Sequence, residues 1–124
     1  MEPDYLRMTV SATYRAFVLE QLSRALPEVH ARSMFGGVGI YCGPIFFALI
    51  GNDVLYFKVD DRTRAHFEAR GMRPFRPFGE GGEVMQYYEV PADVLEDPDA
   101  LRVWADHAVA VGHRARQRRE KRAS

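Results

Sequence analysis

Residues 29–59 read VHARSMFGGVGIYCGPIFFALIGNDVLYFKV, and this stretch decides the fold. Short runs of apolar and aromatic residues are separated here by Gly36-Gly37, Gly43-Pro44 and Gly51-Asn52-Asp53. Glycine and asparagine tolerate the positive φ of tight hairpin turns, so the pattern predicts an antiparallel meander. The predicted strands are 29–35, 38–42, 45–50 and 54–59.

The third of these runs, FFALI at residues 46–50, lacks the alternation of a strand that has one wet face. An unbroken apolar run of this length predicts a central strand covered on both faces. Helices at the two ends of the chain are the expected cover for one of those faces.

Helical spacing flanks the meander on both sides. Residues 11–26 predict a helix capped by Ser11 and stopped by Pro27, which lacks a backbone N–H. The last helix is predicted to begin at Asp97-Pro98, because proline is preorganised for the first helical position. Its apolar stripe runs from Leu101 to Gly112. The fold class predicted is therefore α+β, an antiparallel β-sheet meander with N-terminal and C-terminal helices packed on it.

Between the fourth strand and the last helix the pattern is more broken. A short helix is predicted over 62–70, capped by Asp60 or Asp61 and ended by Gly71. Two extended segments follow, and one helical turn precedes the last helix. These three pieces are 73–78, 84–90 and 91–95, with a mobile hairpin tip predicted at 79–82.

The chain length of 124 residues suits one domain, and a hydrophobic share of 47% is enough for a single core. No apolar run approaches the length of a membrane span, and the acidic start of the chain is unlike a signal peptide. The one cysteine, Cys42, excludes an internal disulfide. We therefore expect a cytoplasmic protein without membrane contact.

Motifs of catalytic and cofactor sites are missing from the sequence. No two histidines have the i, i+4 spacing of a helical zinc site, and no serine lies in a Gly-x-Ser-x-Gly elbow. Gly37-Val38-Gly39 begins like a dinucleotide fingerprint, but Cys42 takes the place of the third glycine. We expect no catalytic residue, no metal site, no cofactor and no enzymatic activity. One alternative stays open: a small-molecule or enzymatic site near the turn at 36–39, with Cys42, Tyr41 and Tyr56.

Charge is distributed unevenly along a chain whose formal net charge is zero. Residues 114–124 carry a net charge of +5, so residues 1–113 carry −5. A basic end of this kind predicts contact with nucleic acid or another acidic surface, and its simpler reading is a solvated helix end. The six candidate contact residues are Arg114, Arg116, Arg118, Arg119, Lys121 and Arg122.

The order of motifs along the chain is more specific than any single residue. The segment RSMFGGVGIY at 32–41 is followed by LYFKVD at 55–60, YYEVP at 87–91 and LRVWA at 101–105. This series resembles the N-terminal domain of the TfoX (Sxy) family, proteins associated with regulation of bacterial competence. The likeness extends from about Tyr14 to His113.

The resemblance implies an α+β fold like that of type III secretion chaperones. It also implies a regulatory role through transcription and protein contacts, with no catalytic residues to carry over. We expect a stand-alone copy of the domain at residues 1–113, with a loose leader at 1–10 and the basic tail at 114–124. The expected function is that of a non-enzymatic interaction module in a bacterial cytoplasm. Its expected partner is another protein or a second copy of the chain, and the alternative is nucleic acid bound through the tail.

Overall fold

Nine elements follow one another in the computed structural model, which describes residues 9–77 and 86–123. The α+β class predicted from the sequence is confirmed, and so are the four strands of the meander. The elements are α1 (Ala12–Ala25), β1 (Val29–Met34), β2 (Gly37–Cys42), β3 (Ile45–Gly51), β4 (Val54–Lys58), α2 (Arg64–Ala69), β5 (Tyr87–Glu89), α3 (Ala92–Glu96) and α4 (Pro98–Ala123).

The region between β4 and α3 differs in detail from the prediction. Helix α2 begins two residues later than expected, and Asp60 accepts a hydrogen bond from the backbone N–H of Arg62 at 3.0 Å in the turn that precedes it. Of the predicted extended segment 73–78, Pro74 forms an isolated bridge with Tyr88 on β5. The predicted hairpin tip at 79–82 and the start of the second extended segment lie outside the described residues.

All five strands pair antiparallel in the order β1-β2-β3-β4-β5. Two of the hairpins close through turns with positive φ at both central residues, the geometry that matches the twist of the strands. These residues are Phe35 (φ 51) with Gly36 (φ 79), and Asn52 (φ 51) with Asp53 (φ 56). The side chains of Asn52 and Asp53 also accept hydrogen bonds from the backbone N–H groups of Thr9 and Ser11, which fixes the start of α1.

A bulge in β3 explains why the run at 46–50 does not alternate. Ile40 lies opposite Ala48, whereas the next residue of β2, Tyr41, lies opposite Phe46, so Phe47 has no partner. The extra residue turns both Phe47 and Ala48 toward the helices, where both are fully buried. Phe46 points to the opposite face and is half-buried. The predicted cover on both faces is therefore complete on the helix side and partial on the other side, which we call the open face.

The core lies between the helix side of the sheet and helices α1, α3 and α4. Its fully buried side chains include Leu22 of α1, Phe57 of β4 and Leu101 of α4. The rings of Phe47 and Phe57 pack with their centroids 5.9 Å apart. Aromatic residues bury more apolar area than aliphatic ones, so these two account for much of the burial at the centre of the sheet.

Helix α4 is the longest element and crosses the sheet in close contact at Gly112. A Cβ at this position would overlap Cγ2 of Ile45 and stand 2.9 Å from the carbonyl oxygen of Phe46. The helix then continues past the sheet through residues 114–123, which we call the basic end of α4. The domain boundary placed at His113 stays a prediction, and α4 runs across it. Among the described residues, no helix is both long and apolar enough to cross a membrane.

One ion pair joins the basic end of α4 to the body of the protein. Arg114 donates from Nε and Nη2 to Oδ2 of Asp60, at 2.9 and 2.7 Å. The two side chains are only 27% and 18% exposed, so water screens this pair less than the exposed pairs of the helix surfaces. Burial raises the pKa of Asp60, but the hydrogen bonds from Arg114 and the α2 turn outweigh it and hold the pKa below its ordinary value.

We expect Gly112→Ala to lower the free energy of unfolding by about 1–2 kcal/mol. The added methyl group meets a backbone oxygen that cannot rotate away, and this overpacking exceeds the gain in helix propensity of up to about 1 kcal/mol. Urea unfolding measures the change. His113→Ala, at the exposed next position, is the control and should stay within about 0.5 kcal/mol of the wild type. A Gly112→Ala variant as stable as the wild type would show that α4 and β3 are not in close steric contact at this position.

Replacing Arg114 with methionine is expected to cost about 1–2 kcal/mol near neutral pH, because it leaves the half-buried Asp60 carboxylate without its main partner. A carboxyl group with a lowered folded pKa contributes stability above its unfolded pKa of about 3.9. That contribution is lost as the pH falls through the folded value. The stability difference between wild type and variant should therefore shrink below about pH 4.

Unfolding curves of both proteins between pH 2 and pH 7 test this expectation, because the range extends to both sides of the unfolded pKa of about 3.9. Arg116→Met is the matched control, because the pair of Arg116 and Glu120 is exposed and should contribute about 0–1 kcal/mol. A difference between wild type and Arg114→Met that stays constant down to pH 2 would contradict the pairing.

Candidate functional site

The six cations predicted as contact residues lie on the basic end of α4, within one continuous helix. At 3.6 residues per turn, they divide between two sides of it. The first row borders a depression beside Asp60 and Tyr87, and the second borders a smaller cavity beside Tyr41 and Phe46. The first row contains Arg114, Arg118, Lys121 and Arg122, and the second contains Arg116 and Arg119.

These six side chains differ in how far they are already engaged. Arg114 is bound to Asp60, and Arg116 donates from Nε to Glu120 at 3.1 Å. Arg118, Arg119 and Arg122 form no ion pair with the described residues and are exposed. All six residues therefore lie on one helix, but Arg114 is engaged in holding that helix against the body.

A ladder of rings crosses the open face beside the second row. His30 on β1, Tyr41 on β2 and Phe46 on β3 are neighbours across the sheet. The ring centroids of His30 and Tyr41 are 5.1 Å apart at an interplanar angle of 10°, and those of Tyr41 and Phe46 are 5.1 Å apart at 25°. Two of these rings, Tyr41 and Phe46, form one wall of the space between the sheet and the end of α4.

Lys58 occupies the far end of this ladder. Its ammonium group lies 5.7 Å from the ring centroid of Phe46 and 5.4 Å from that of Tyr87, and its hydrogen-bond partner is the hydroxyl of Tyr87 at 3.4 Å. The lysine therefore lies between two aromatic faces, which attract a cation through the ring quadrupole. Burial raises the pKa of Tyr87 to about 12, so its hydroxyl stays protonated at neutral pH.

The charges around Lys58 are unfavourable to it. Burial lowers the pKa of its ammonium group, and the positive charges of Arg119 and Arg118 lower the pKa further. Among the residues that the structure describes, Lys58 forms no ion pair with any carboxylate. A half-buried cation next to other cations is destabilising unless an anion joins it.

Two cavities adjoin Lys58, one on each side of the basic end of α4. The smaller has a volume of about 250 Å³. The larger is a depression of about 740 Å³ between Asp60, Gln86 and the row that contains Arg114 and Arg118. The smaller cavity is lined by Tyr41, Pro44, Ile45, Phe46, Lys58, Gly112, Arg116 and Arg119.

The alternative site near the turn at 36–39 is divided by the sheet. Tyr41 faces the ring ladder, while the neighbouring Cys42 packs against the core on the helix side and donates from Sγ to the carbonyl of Pro27 at 3.3 Å. Burial and the nearby carboxylates of Glu28 and Asp106 raise the pKa of Cys42. The thiolate, which is the nucleophilic form of cysteine, is therefore disfavoured.

Candidate metal ligands are equally dispersed. The described ranges 9–77 and 86–123 hold no group of three or more His, Cys, Asp or Glu side chains that could bind a metal ion. His66 and His107 approach each other with ring centroids 6.2 Å apart, but no third ligand joins them.

The sequence prediction named the arginines of α4, and Tyr41 in its alternative site, but it did not include Lys58 or Phe46. Tyr41, Phe46 and Lys58 belong to three strands, and the bulge in β3 turns Phe46 toward the other two. The signal available in the sequence was the failure of alternation at 46–50, which indicates a bulge as well as a strand covered on both faces.

Comparison with protein-family models gives a match over most of the chain. The family model described as the TfoX N-terminal domain matches residues 20–111, from within α1 to the residue before the close contact at Gly112. No curated protein matches the chain. All five strands, the ring ladder and Lys58 lie inside the matched range, and the basic end of α4 lies beyond it. The chain therefore belongs to the TfoX N-terminal domain family.

Proposed function

We propose that this chain is a non-enzymatic regulatory domain, linked to transcription, that contacts nucleic acid through the basic end of α4. The observation that supports the proposal most directly is the row of exposed cations on a helical end that Asp60 holds against the body. Cations on a rigid element lose less conformational freedom on binding than cations on a disordered tail. Membership of the TfoX N-terminal domain family supports the regulatory part of the proposal.

Phosphate contacts of this kind are independent of base sequence and depend strongly on salt. The basic end of α4 supplies positive charge without any motif for reading base edges. The domain is therefore proposed to contribute affinity and position rather than sequence selectivity, and a partner of the domain would supply the selectivity.

A second mode of contact, with a second copy of the chain, is favoured by the edge of the sheet. Among the described residues, no strand pairs with the outer side of β1. The backbone N–H of Gly43 donates to the carbonyl of Glu28, so alternation along β1 directs the N–H of Ser33 outward. Phe35, at the end of this strand, is 84% exposed. An open edge next to an exposed aromatic ring suits pairing of β1 with β1 of another copy.

The nucleic-acid proposal predicts binding to duplex DNA that weakens steeply with salt. Arg114 is engaged by Asp60 and Arg116 by Glu120, and Arg118, Arg119 and Arg122 form no ion pair with the described residues. If these three are the contacts, at about 0.9 counterions for each phosphate contact, the log–log slope is about −2.7. Replacing Arg118 and Arg122 with glutamine should make the slope shallower by about 1.8. Fluorescence anisotropy with a labelled duplex, between about 50 and 200 mM salt, measures both values.

Substitution is a sharper test than truncation at His113, because truncation also removes Arg114 and releases the helix end. The matched control replaces Arg76 and Arg102, two exposed arginines elsewhere on the protein, with glutamine. This control changes the net charge equally and should leave the slope unchanged. Failure of the unmodified chain to bind DNA at low salt would refute the proposal, and an equal loss in the control would show that only net charge matters.

The edge-pairing proposal predicts a dimer that Ser33→Pro abolishes, because proline removes the outward N–H while the inward hydrogen bonds of β1 remain. Ser33→Thr keeps this N–H and the hydroxyl that accepts from Arg15, so it should still form dimers. Size-exclusion chromatography with light scattering gives the mass of each protein, and circular dichroism verifies that both variants fold. A wild-type chain that stays monomeric at every concentration tested would exclude edge pairing.

A further inference from the structure

The surroundings of Lys58 point to a bound anion. Its ammonium group is half-buried between Phe46 and Tyr87, at the side of the small cavity closed by the end of α4. Arg119 reaches the same cavity and forms no ion pair with the described residues, while Arg116 is matched by Glu120. The cavity therefore carries two positive charges that form no ion pair with any carboxylate of residues 9–77 and 86–123.

The size of the cavity limits what the anion can be. Its volume of about 250 Å³ corresponds to roughly eight water molecules at about 30 Å³ each, which is room for one small polar group with its nearest atoms. The groups that line it are suited to oxygen anions: an ammonium point charge, a guanidinium fork and aromatic walls that exclude water from one side. A phosphate group has the size and charge that these donors match.

We infer that this cavity is a phosphate-binding site in which Lys58 and Arg119 are the donors, and that a nucleic-acid strand supplies the phosphate. The source of the phosphate rests on the proposed function, since the cavity adjoins the basic end of α4 and a single nucleic-acid strand would reach both. The site is built from β2, β3, β4 and α4 together, so it exists only in the folded domain. It also differs from the larger depression, which Arg114 and Arg118 border on the other side of the helix end.

The experiment compares wild type with Lys58→Met, Arg119→Met and the control Arg102→Met, each of which removes one positive charge. Each protein is titrated with a single-stranded oligonucleotide that has a 5′-hydroxyl, with the same strand carrying a 5′-phosphate, and with inorganic phosphate. Fluorescence anisotropy reports strand binding, and the shift in melting temperature reports phosphate binding. Arg119 is exposed, so its variant tests the site even if Lys58→Met fails to fold.

We expect Lys58→Met and Arg119→Met each to weaken strand binding at least about tenfold, the effect of losing one charge-assisted hydrogen bond. Arg102→Met should bind like the wild type. Without ligand, Lys58→Met should melt at the same temperature as the wild type or higher, because it removes a cation repelled by its neighbours. A lysine with a purely structural role would instead lower the melting temperature when it is replaced. Stronger binding of the 5′-phosphorylated strand would identify the terminal phosphate as the group bound, and equal binding an internal one.

The failure of this inference can be distinguished from the failure of the proposed function. Strand binding that survives in Lys58→Met and Arg119→Met, at the level of Arg102→Met, overturns the site and leaves the basic end of α4 as the contact. Binding of inorganic phosphate that requires Lys58, without binding of any strand, retains the phosphate site and overturns the nucleic-acid function. Absence of both kinds of binding overturns both.

Discussion

The close passage of α4 over β3 is the constraint on which the rest of the structure depends. At Gly112 the helix approaches the carbonyl of Phe46 at a distance that leaves no room for a side chain. This contact sets the height of α4 above the sheet, and so the depth of the core between Leu101 and Phe57. It also determines that the helix leaves the sheet beside Phe46, where the ring ladder ends. The contact at Gly112 therefore determines the depth of the core, the position of the small cavity and the place where the basic end leaves the sheet.

Asp60 has two roles in the same small region. Its Oδ1 accepts from the backbone of Arg62 in the turn before α2, and its Oδ2 accepts from Arg114 on α4. One carboxylate thus joins the end of the meander to the helix that crosses it. Because the pair is mostly shielded from water, it fixes the direction of the basic end more firmly than the exposed pair of Arg116 and Glu120 does.

The elements that follow from local chemistry were predictable, and the contacts between distant elements were not. Turn residues with positive φ and the cap at Ser11 act over two to four positions, so the sequence predicted the meander and the start of α1 correctly. The pairing of Asp60 with Arg114 spans 54 residues, and no local pattern specifies it. The site depends on such contacts, since Phe46 meets Lys58 only after a bulge has reversed its direction. The arginines were identifiable because charge accumulates along the sequence itself.

The 26 residues of α4 form one rod about 39 Å long, and the contact at Gly112 lies near its middle. Because α4 contacts the sheet near its middle, a tilt around this contact would move its two ends in opposite directions. A tilt of about 5° around this point would displace the basic end and the opposite end, which packs on α1 and α3, by roughly 1.5 Å each in opposite senses. A tilt of this kind would couple the cationic end to the far side of the core without any change in secondary structure.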